Sequence, residues 1–333
     1  MDKFQAFMIH NDEQGFRSGV ETIAIDQLPE GDVSIKVEYS GVNYKDGLAN
    51  SASGRIVNTY PFIPGIDLAG TIVESSNPKF KIGDAVLCTG YGLGVSHFGG
   101  FSHYARLNSE WLVALPKGLT SREAMSIGTA GFTAALSVDS LIHNGLKVEN
   151  GPVLVTGATG GVGSIAVSIL AQLGFEVVAS TGKADKYTDF LKQLGATSVV
   201  TRGDVEAPRK GVLAKERWAG VIDPVGGTQL TEILKGMQYG GGVALSGLTG
   251  GASFDNTVYP FILRGVQLLG IDSVNCPMDR RQAIWNKLAS DWKPVTALQQ
   301  GITEVPLHDL SSVLETILQG GAVGRSLVRL NIE

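Results

Sequence analysis

Cysteine, clustered positive charge and charge in general are all scarce in this chain. Two cysteines occur in 333 residues, Cys88 and Cys276, which excludes a disulfide framework and a four-thiolate zinc site. No basic run exceeds two residues and the net charge is −5, so broad electrostatic binding to nucleic acid is excluded. Charged residues make up only 18% against 43% hydrophobic, a balance that builds a core and excludes a disordered chain. The N-terminal run Met1–Asp2–Lys3–Phe4 lacks a signal-peptide pattern, so a cytoplasmic location is expected. A Gly-x-Ser-x-Gly elbow is also missing, which leaves serine hydrolase chemistry without support.

What is plentiful is glycine. The 44 glycines are nearly double the usual share of about 7%, without a collagen-like period, and so serve tight turns and close backbone approaches. At ~100–200 residues per domain the length suggests two domains. No charged residue falls between Asn150 and Glu176, a length that would span a bilayer. Gly151, Gly157, Gly160, Gly161, Gly163 and Gly174 interrupt it. The pattern is an apolar strand, a glycine turn and an apolar helix, which reads as a buried βα unit with no membrane role.

Short apolar runs at Val33–Tyr39, Ala69–Val73 and Ala85–Cys88, bounded by turn residues, make the first 120 residues β-rich. A glycine loop with His97 follows at 89–100. Helical periodicity appears over Ser121–Leu141, with Ser121 as the expected N-cap. From Gly151 strands and helices alternate. Strands are expected at Val153–Val155, Glu176–Ala179, Ser198–Val200, Val221–Asp223, Val243–Ser246 and Val266–Ile271. Helices are expected near Gly163–Leu173, Lys186–Leu194 and Gln229–Lys235. This rhythm predicts a parallel sheet covered on both faces. From about Thr296 the tail returns to short β pieces around a helix, Asp309–Gln319, and is expected to rejoin the first domain.

The most informative piece is Gly157–Ala158–Thr159–Gly160–Gly161–Val162–Gly163, directly after a strand and opening a helix. There the backbone turns sharply, approaches a pyrophosphate closely and presents the N–H groups of a helix N-terminus. The alternative is a turn needed only for helix–strand packing. NAD-specific sites usually carry an acid about 20 residues further on. Here that stretch is Ala179–Ser180–Thr181–Gly182–Lys183, with no acid at the strand end. Its hydroxyls and cation, with Arg202 past the third strand, point to a 2′-phosphate and hence to NADPH. The bland reading makes Lys183 and Arg202 solvated loop charges. Gly182–Lys183 is not a P-loop, because Val177 stands where its first glycine would be.

A β-rich first domain, a central nucleotide domain and a returning tail resemble the medium-chain dehydrogenase/reductase superfamily along the whole chain. The resemblance implies an α/β fold: a GroES-like β-rich catalytic domain (1–123 and 296–333) and a Rossmann doubly wound parallel-sheet domain (124–295). Zinc members carry a cysteine and a Gly-His-Glu motif. This chain has Asn43 within Gly41–Asp46 and Ile66 within Pro64–Gly70 at those places. Isoleucine cannot ligate zinc and asparagine is a poor ligand for it, so no metal is expected and the chain resembles the zinc-free quinone oxidoreductase branch. Val42–Asn43–Tyr44–Lys45–Asp46, Pro64–Gly65–Ile66–Asp67, Gly128–Ala134 and Pro260–Arg264 resemble the acrylyl-CoA reductase group more narrowly. That likeness implies NADPH-dependent reduction of the C=C bond of acrylyl-CoA. It implies cofactor contacts at Tyr44, Thr159, Gly160, Gly161, Val162, Thr181, Gly182, Lys183, Arg202, Leu248, Ile262, Ser273 and Arg325.

Reducing an activated alkene without metal requires a hydride at the β-carbon, a donor to the carbonyl oxygen and a proton at the α-carbon. Tyr44 is the candidate for nicotinamide contact and proton donation, and Asn43 the candidate donor to an oxygen. Packing for Tyr44 and turn-capping for Asn43 are the plain alternatives. Asp67 is expected to orient backbone or a cation. His97 and His103 read as loop residues available to the substrate cleft, and Cys88 as a buried small hydrophobe. An NADPH:quinone oxidoreductase and an NADPH-holding redox sensor without turnover are the competing functions. The apolar run Val266–Ile271 reads as the last strand of the nucleotide sheet, whose open edge would pair with a second copy in a homodimer.

Overall fold

A computed structural model describes residues 3–330; Met1 and Asp2, part of the N-terminal run read above, lie outside that range. The strands along the chain are β1 (Lys3–Asp12), β2 (Gly15–Ala24), β3 (Val33–Gly41), β4 (Asp67–Ser75), β5 (Ala85–Thr89), β6 (Tyr104–Leu107), β7 (Val113–Ala114), β8 (Val153–Val155), β9 (Val177–Thr181), β10 (Ser198–Thr201), β11 (Trp218–Asp223), β12 (Met237–Leu245), β13 (Gln267–Gly270), β14 (Ile302–Pro306) and β15 (Arg325–Arg329). Two units divide the chain. One holds residues up to Thr129, Val274–Ala289 and the segment from Ile302 onward; the other holds Ala130–Ser273 and Ser290–Gly301.

In the first unit a seven-stranded sheet runs β14-β15-β3-β4-β5-β7, with β6 also on β3. The β1–β2 hairpin stands beside it as a separate antiparallel pair. Alternating inward residues such as Ile35, Val37, Leu68 and Val328 meet Phe7, Phe101, Leu310 and Leu314 in one core. The tail does rejoin this unit: β15 pairs antiparallel with β3, Val328 opposite Ser40.

In the second unit six strands lie in the order β10-β9-β8-β11-β12-β13, every adjacent pair parallel. Numbered within the unit this is 3-2-1-4-5-6, the doubly wound order, which reverses direction between β8 and β11. Strands covered on both faces read as unbroken apolar runs, and every residue of Val153–Val155 is buried. Leu154, Trp218, Val221, Ile233, Leu234 and Val243 make the core. Gly163 lets the next helix sit tight on the turn, since a Cβ there would stand 2.4 Å from the Gly157 carbonyl oxygen.

The expected domain limits shift at three places. Residues 124–129 and 274–289 group with the β-rich unit and 296–301 with the nucleotide unit. Hydrogen bonding explains the first two. Thr129 donates to Asp67, and buried Arg281 donates to Thr89 and to the Val274 carbonyl. Gly301 instead packs on the Phe190 ring. The helix Ser121–His143 is long and apolar enough to cross a membrane, but 78% of its apolar stretch is buried and Gly128 (φ 52°) kinks it. Thr120, not Ser121, caps it: Thr120 Oγ1 accepts from Glu123 N at 3.2 Å while Thr120 N donates to Glu123 at 3.0 Å, a reciprocal capping box.

Candidate active site

The glycine turn sits at the carboxyl end of β8, where the sheet order reverses, and opens the helix Gly161–Gln172. Its N-cap, Gly160, supplies no side chain, so no side-chain cap occupies the first helical N–H groups. Unsatisfied N–H groups and the positive end of the helix dipole suit a pyrophosphate. The turn is braced from beneath: Ala158 N donates to the Ser180 carbonyl at 3.0 Å, and Thr156 Oγ1 donates to Asp223 at 2.5 Å. Asp223 also accepts from Val225 N and Gln229 Nε2, so one buried carboxylate joins the ends of β8 and β11.

The expected 2′-phosphate residues come together on neighbouring strands. Thr201 lies opposite Thr181 in the β9–β10 register. Thr181 Oγ1 is 3.1 Å from Thr159 Oγ1 and accepts from Lys183 N at 3.1 Å. Arg202 begins the short helix Arg202–Glu206. Its Nε lies 4.0 Å from where a Cβ on Gly182 would stand, and it pairs loosely with Glu206 at 4.0 Å. Burial pushes the Lys183 ammonium below the ordinary lysine range, a cost that an anion would relieve. Two cations, two hydroxyls and no carboxylate at the strand end fit a phosphorylated ribose. Leu248 and Ile262 leave large apolar surfaces exposed, and Ser273 is partly buried. Arg264, the last residue of the Pro260–Arg264 motif, holds backbone in place by donating to the carbonyls of Lys235, Met237 and Ala214.

In the β-rich unit, Asn43 and Tyr44 start the helix Tyr44–Ala49. Tyr44 is 39% exposed and its hydroxyl has no hydrogen-bond partner among the described residues. Asn43 is buried and fully committed. Its Nδ2 donates to Asp67 Oδ2 at 2.8 Å and to the Gly41 carbonyl at 3.3 Å, while its Oδ1 accepts from Arg325 Nη1. The structure therefore corrects its expected role as donor to a substrate oxygen, because both amide hydrogens are already used.

Arg325 is also buried. Its Nε donates to the Ser126 carbonyl and its Nη1 to Val42 and Asn43. Nη2 lies 3.5 Å from Asp67 Oδ2 and is the one nitrogen of this guanidinium without a hydrogen bond among the described residues. That nitrogen is itself buried, so the cofactor contact the resemblance implies at Arg325 would require the cluster to open. Asp67 thus orients backbone and a cation, as the sequence suggests. Burial raises its carboxyl, opposed by Arg325, Thr129 and Asn43; burial lowers the Arg325 guanidinium.

Asp46, which sequence reasoning passed over, lies fully buried beside this cluster. Oδ2 accepts from Asn43 N at 2.7 Å and Oδ1 from Ile66 N at 2.9 Å. Burial, then the Asp67 carboxylate, pushes it up to about 7. Its position three residues after Asn43, the capping-box spacing, was the signal available. Among the described residues no three His, Cys, Asp or Glu side chains gather as a metal site.

His97 is engaged within the protein. His97 Nε2 lies 2.7 Å from the Arg106 carbonyl oxygen and its ring meets Trp111 edge-on. His103 is pushed below the ordinary histidine range by burial, then by Lys36. Cys88 is fully buried, which pushes its thiol up to about 12.

Residues 29–117 match the alcohol dehydrogenase GroES-like domain and residues 161–290 the zinc-binding dehydrogenase family. A Bacillus subtilis protein named as a quinone oxidoreductase, YhfP, is 54% identical over 98% of this chain and 99% of its own length. An acrylyl-CoA reductase, AcuI of Ruegeria pomeroyi, is 47% identical over 98% and 99%. The crystal structure of the yhdH oxidoreductase from Salmonella enterica in complex with NADP matches with a TM-score of 0.94 and 43% identity over 98% and 100% of the two chains. That of B. subtilis yhfP with NAD bound matches with a TM-score of 0.96 and 53% identity over 99% and 100%.

Fold and site together define an oxidoreductase of the medium-chain dehydrogenase/reductase class. Within it, this chain belongs to the zinc-free group of quinone oxidoreductases and acrylyl-CoA reductases.

Proposed function

We propose that this oxidoreductase uses NADPH to reduce the activated C=C bond of an enoyl thioester such as acrylyl-CoA, without metal. The observation that carries the reading is the state of positions 43 and 66. A non-ligating side chain stands at each, and both positions are tied into the Asp46–Asp67–Arg325 cluster, Asn43 by side chain and backbone and Ile66 by its backbone N–H, next in sequence to the part-exposed Tyr44. A nicotinamide held there would supply the hydride for the β-carbon. Tyr44, part-exposed and with no hydrogen-bond partner for its hydroxyl among the described residues, donates toward the carbonyl oxygen or the α-carbon as negative charge develops there. Thr159, Gly160, Gly161 and Val162 receive the pyrophosphate, and Thr181, Gly182, Lys183 and Arg202 the 2′-phosphate. Leu248, Ile262, Ser273 and Arg325 are the remaining contacts assigned to the cofactor.

A quinone acceptor is the second reading, favoured by the name of the 54% identical relative. Stopped-flow oxidation of NADPH with acrylyl-CoA and with simple quinones in parallel separates the two. Turnover of the thioester is expected, and turnover of quinones alone replaces the first reading by the second. A redox sensor would bind NADPH and turn over neither. A homodimer joined through β13, and a cytoplasmic location, complete the proposal.

A further inference from the structure

The chemistry proposed above makes no use of Asp46, although this carboxylate is fully buried at considerable desolvation cost. Its two oxygens accept from backbone N–H groups on separate segments, Asn43 and Ile66. These are the two positions at which zinc relatives would hold their metal. We propose that Asp46 is a positioning residue: it clamps the backbone of both segments together, and so sets the orientation of Tyr44.

The surroundings leave the clamp little slack. Gly47 presses the helix Tyr44–Ala49 onto Leu310–Leu318, where a Cβ would stand 2.9 Å from side-chain atoms of Ile317 and Leu318. Ile66 is held on its other side by Gly90 N, which donates to its carbonyl at 3.3 Å. The Asn43 side chain is fixed by Asp67 from β4 and Arg325 from β15. Removing the carboxylate would orphan two buried N–H groups at once, and they would find new partners only by moving the segment that carries Tyr44.

The assignment rests on the reading of Tyr44 as proton donor, and its test is chosen to separate the two. Asp46→Asn keeps the shape, but its amide accepts from only one N–H and turns an NH2 toward the other. The full chain is labelled with 3-fluorotyrosine, and the Tyr44 fluorine resonance is identified by its loss in Tyr44→Phe. In D46N the kcat for acrylyl-CoA is expected to fall about tenfold to hundredfold, the cost of a small misplacement, while NADPH affinity stays within about twofold. The Tyr44 resonance is expected to shift. A kcat within about twofold of the parent, a parallel loss of NADPH affinity, or a fall in kcat with an unmoved resonance each overturns the proposal.

Should D46N not fold, Asp46→Glu is read in the same way. It keeps the charge and the Asn43 cap, but its extra methylene displaces the oxygen from Ile66. Failure of both to fold makes Asp46 a requirement of the fold alone and also overturns the assignment. If the parent protein does not turn over acrylyl-CoA, the substrate reading fails by itself, and the resonance shift alone decides the role of Asp46.

Discussion

At the scale of single residues, two charge arrangements make testable demands. Lys183 follows the end of β9 and Arg202 the end of the neighbouring β10, with no acid among the residues that close β9. Replacing each with alanine should weaken NADPH binding by about 1–3 kcal/mol, the worth of a charge-assisted hydrogen bond, and leave NADH nearly unchanged. Fluorescence titration of both cofactors checks this; equal losses for the two would remove the 2′-phosphate assignment. The relative solved with NAD makes the comparison informative. Asp46 makes the second demand. An acid raised from an ordinary unfolded value to about 7 binds its proton more tightly in the folded state. Stability from this group is therefore greatest at low pH and falls as pH rises from about 4 to about 7. Urea unfolding at several pH values should show the parent gaining stability over D46N as pH drops through that window. A difference that stays constant with pH would contradict it.

Among the elements, the helix Ser121–His143 is the one whose irregularity the cluster dictates. A Cβ on Gly128 would stand 2.3 Å from Asp67 Oδ2 and 2.7 Å from Arg325 Nη2, on a backbone at φ 52°. Gly128→Ala should cost about 2–4 kcal/mol, left-handed strain and overpacking together, measured as a lower midpoint in denaturant. A near-neutral effect would show the cluster to be loosely packed. The parallel sheet was legible in the sequence because buried strands write unbroken apolar runs: Val153–Val155 falls where the pattern put it, and the helix Gln229–Lys235 falls where its periodicity did. Strand ends were less so; the expected Val243–Ser246 overlaps only the last three residues of Met237–Leu245, because Gly240–Gly242 in its middle carry no apolar signal. The short helices Tyr44–Ala49, Tyr259–Arg264 and Val295–Gln300 escaped because six residues complete fewer than two turns and show no period. The site divided in the same way. The glycine turn writes itself locally, whereas Asp46 gains its meaning from Ile66, 20 residues away.

For the molecule as a whole, the chain leaves its β-rich unit at Thr129, re-enters it at Val274, leaves again at Ala289 and returns at Ile302. These crossings are why sequence boundaries drawn once on each side missed the segment 274–289. The nucleotide sheet ends in β13, an edge strand with Leu268 36% exposed and with Tyr259, Ile262 and Leu263 exposed on a preceding helix. An open apolar edge invites pairing, so a homodimer is expected. A proline at Leu268 or Leu269 should break it by removing a ladder N–H. Light scattering at low micromolar concentration checks this, and a 35.1 kDa particle for the unaltered chain would contradict it. The central claim, hydride delivery to an enoyl thioester, is tested most directly by a single turnover of acrylyl-CoA with NADPH deuterated at the transferable position. Mass spectrometry should find one deuterium at the β-carbon of a propanoyl thioester. Recovery of unlabelled, unreduced thioester while quinones are reduced in the same preparation would contradict the account.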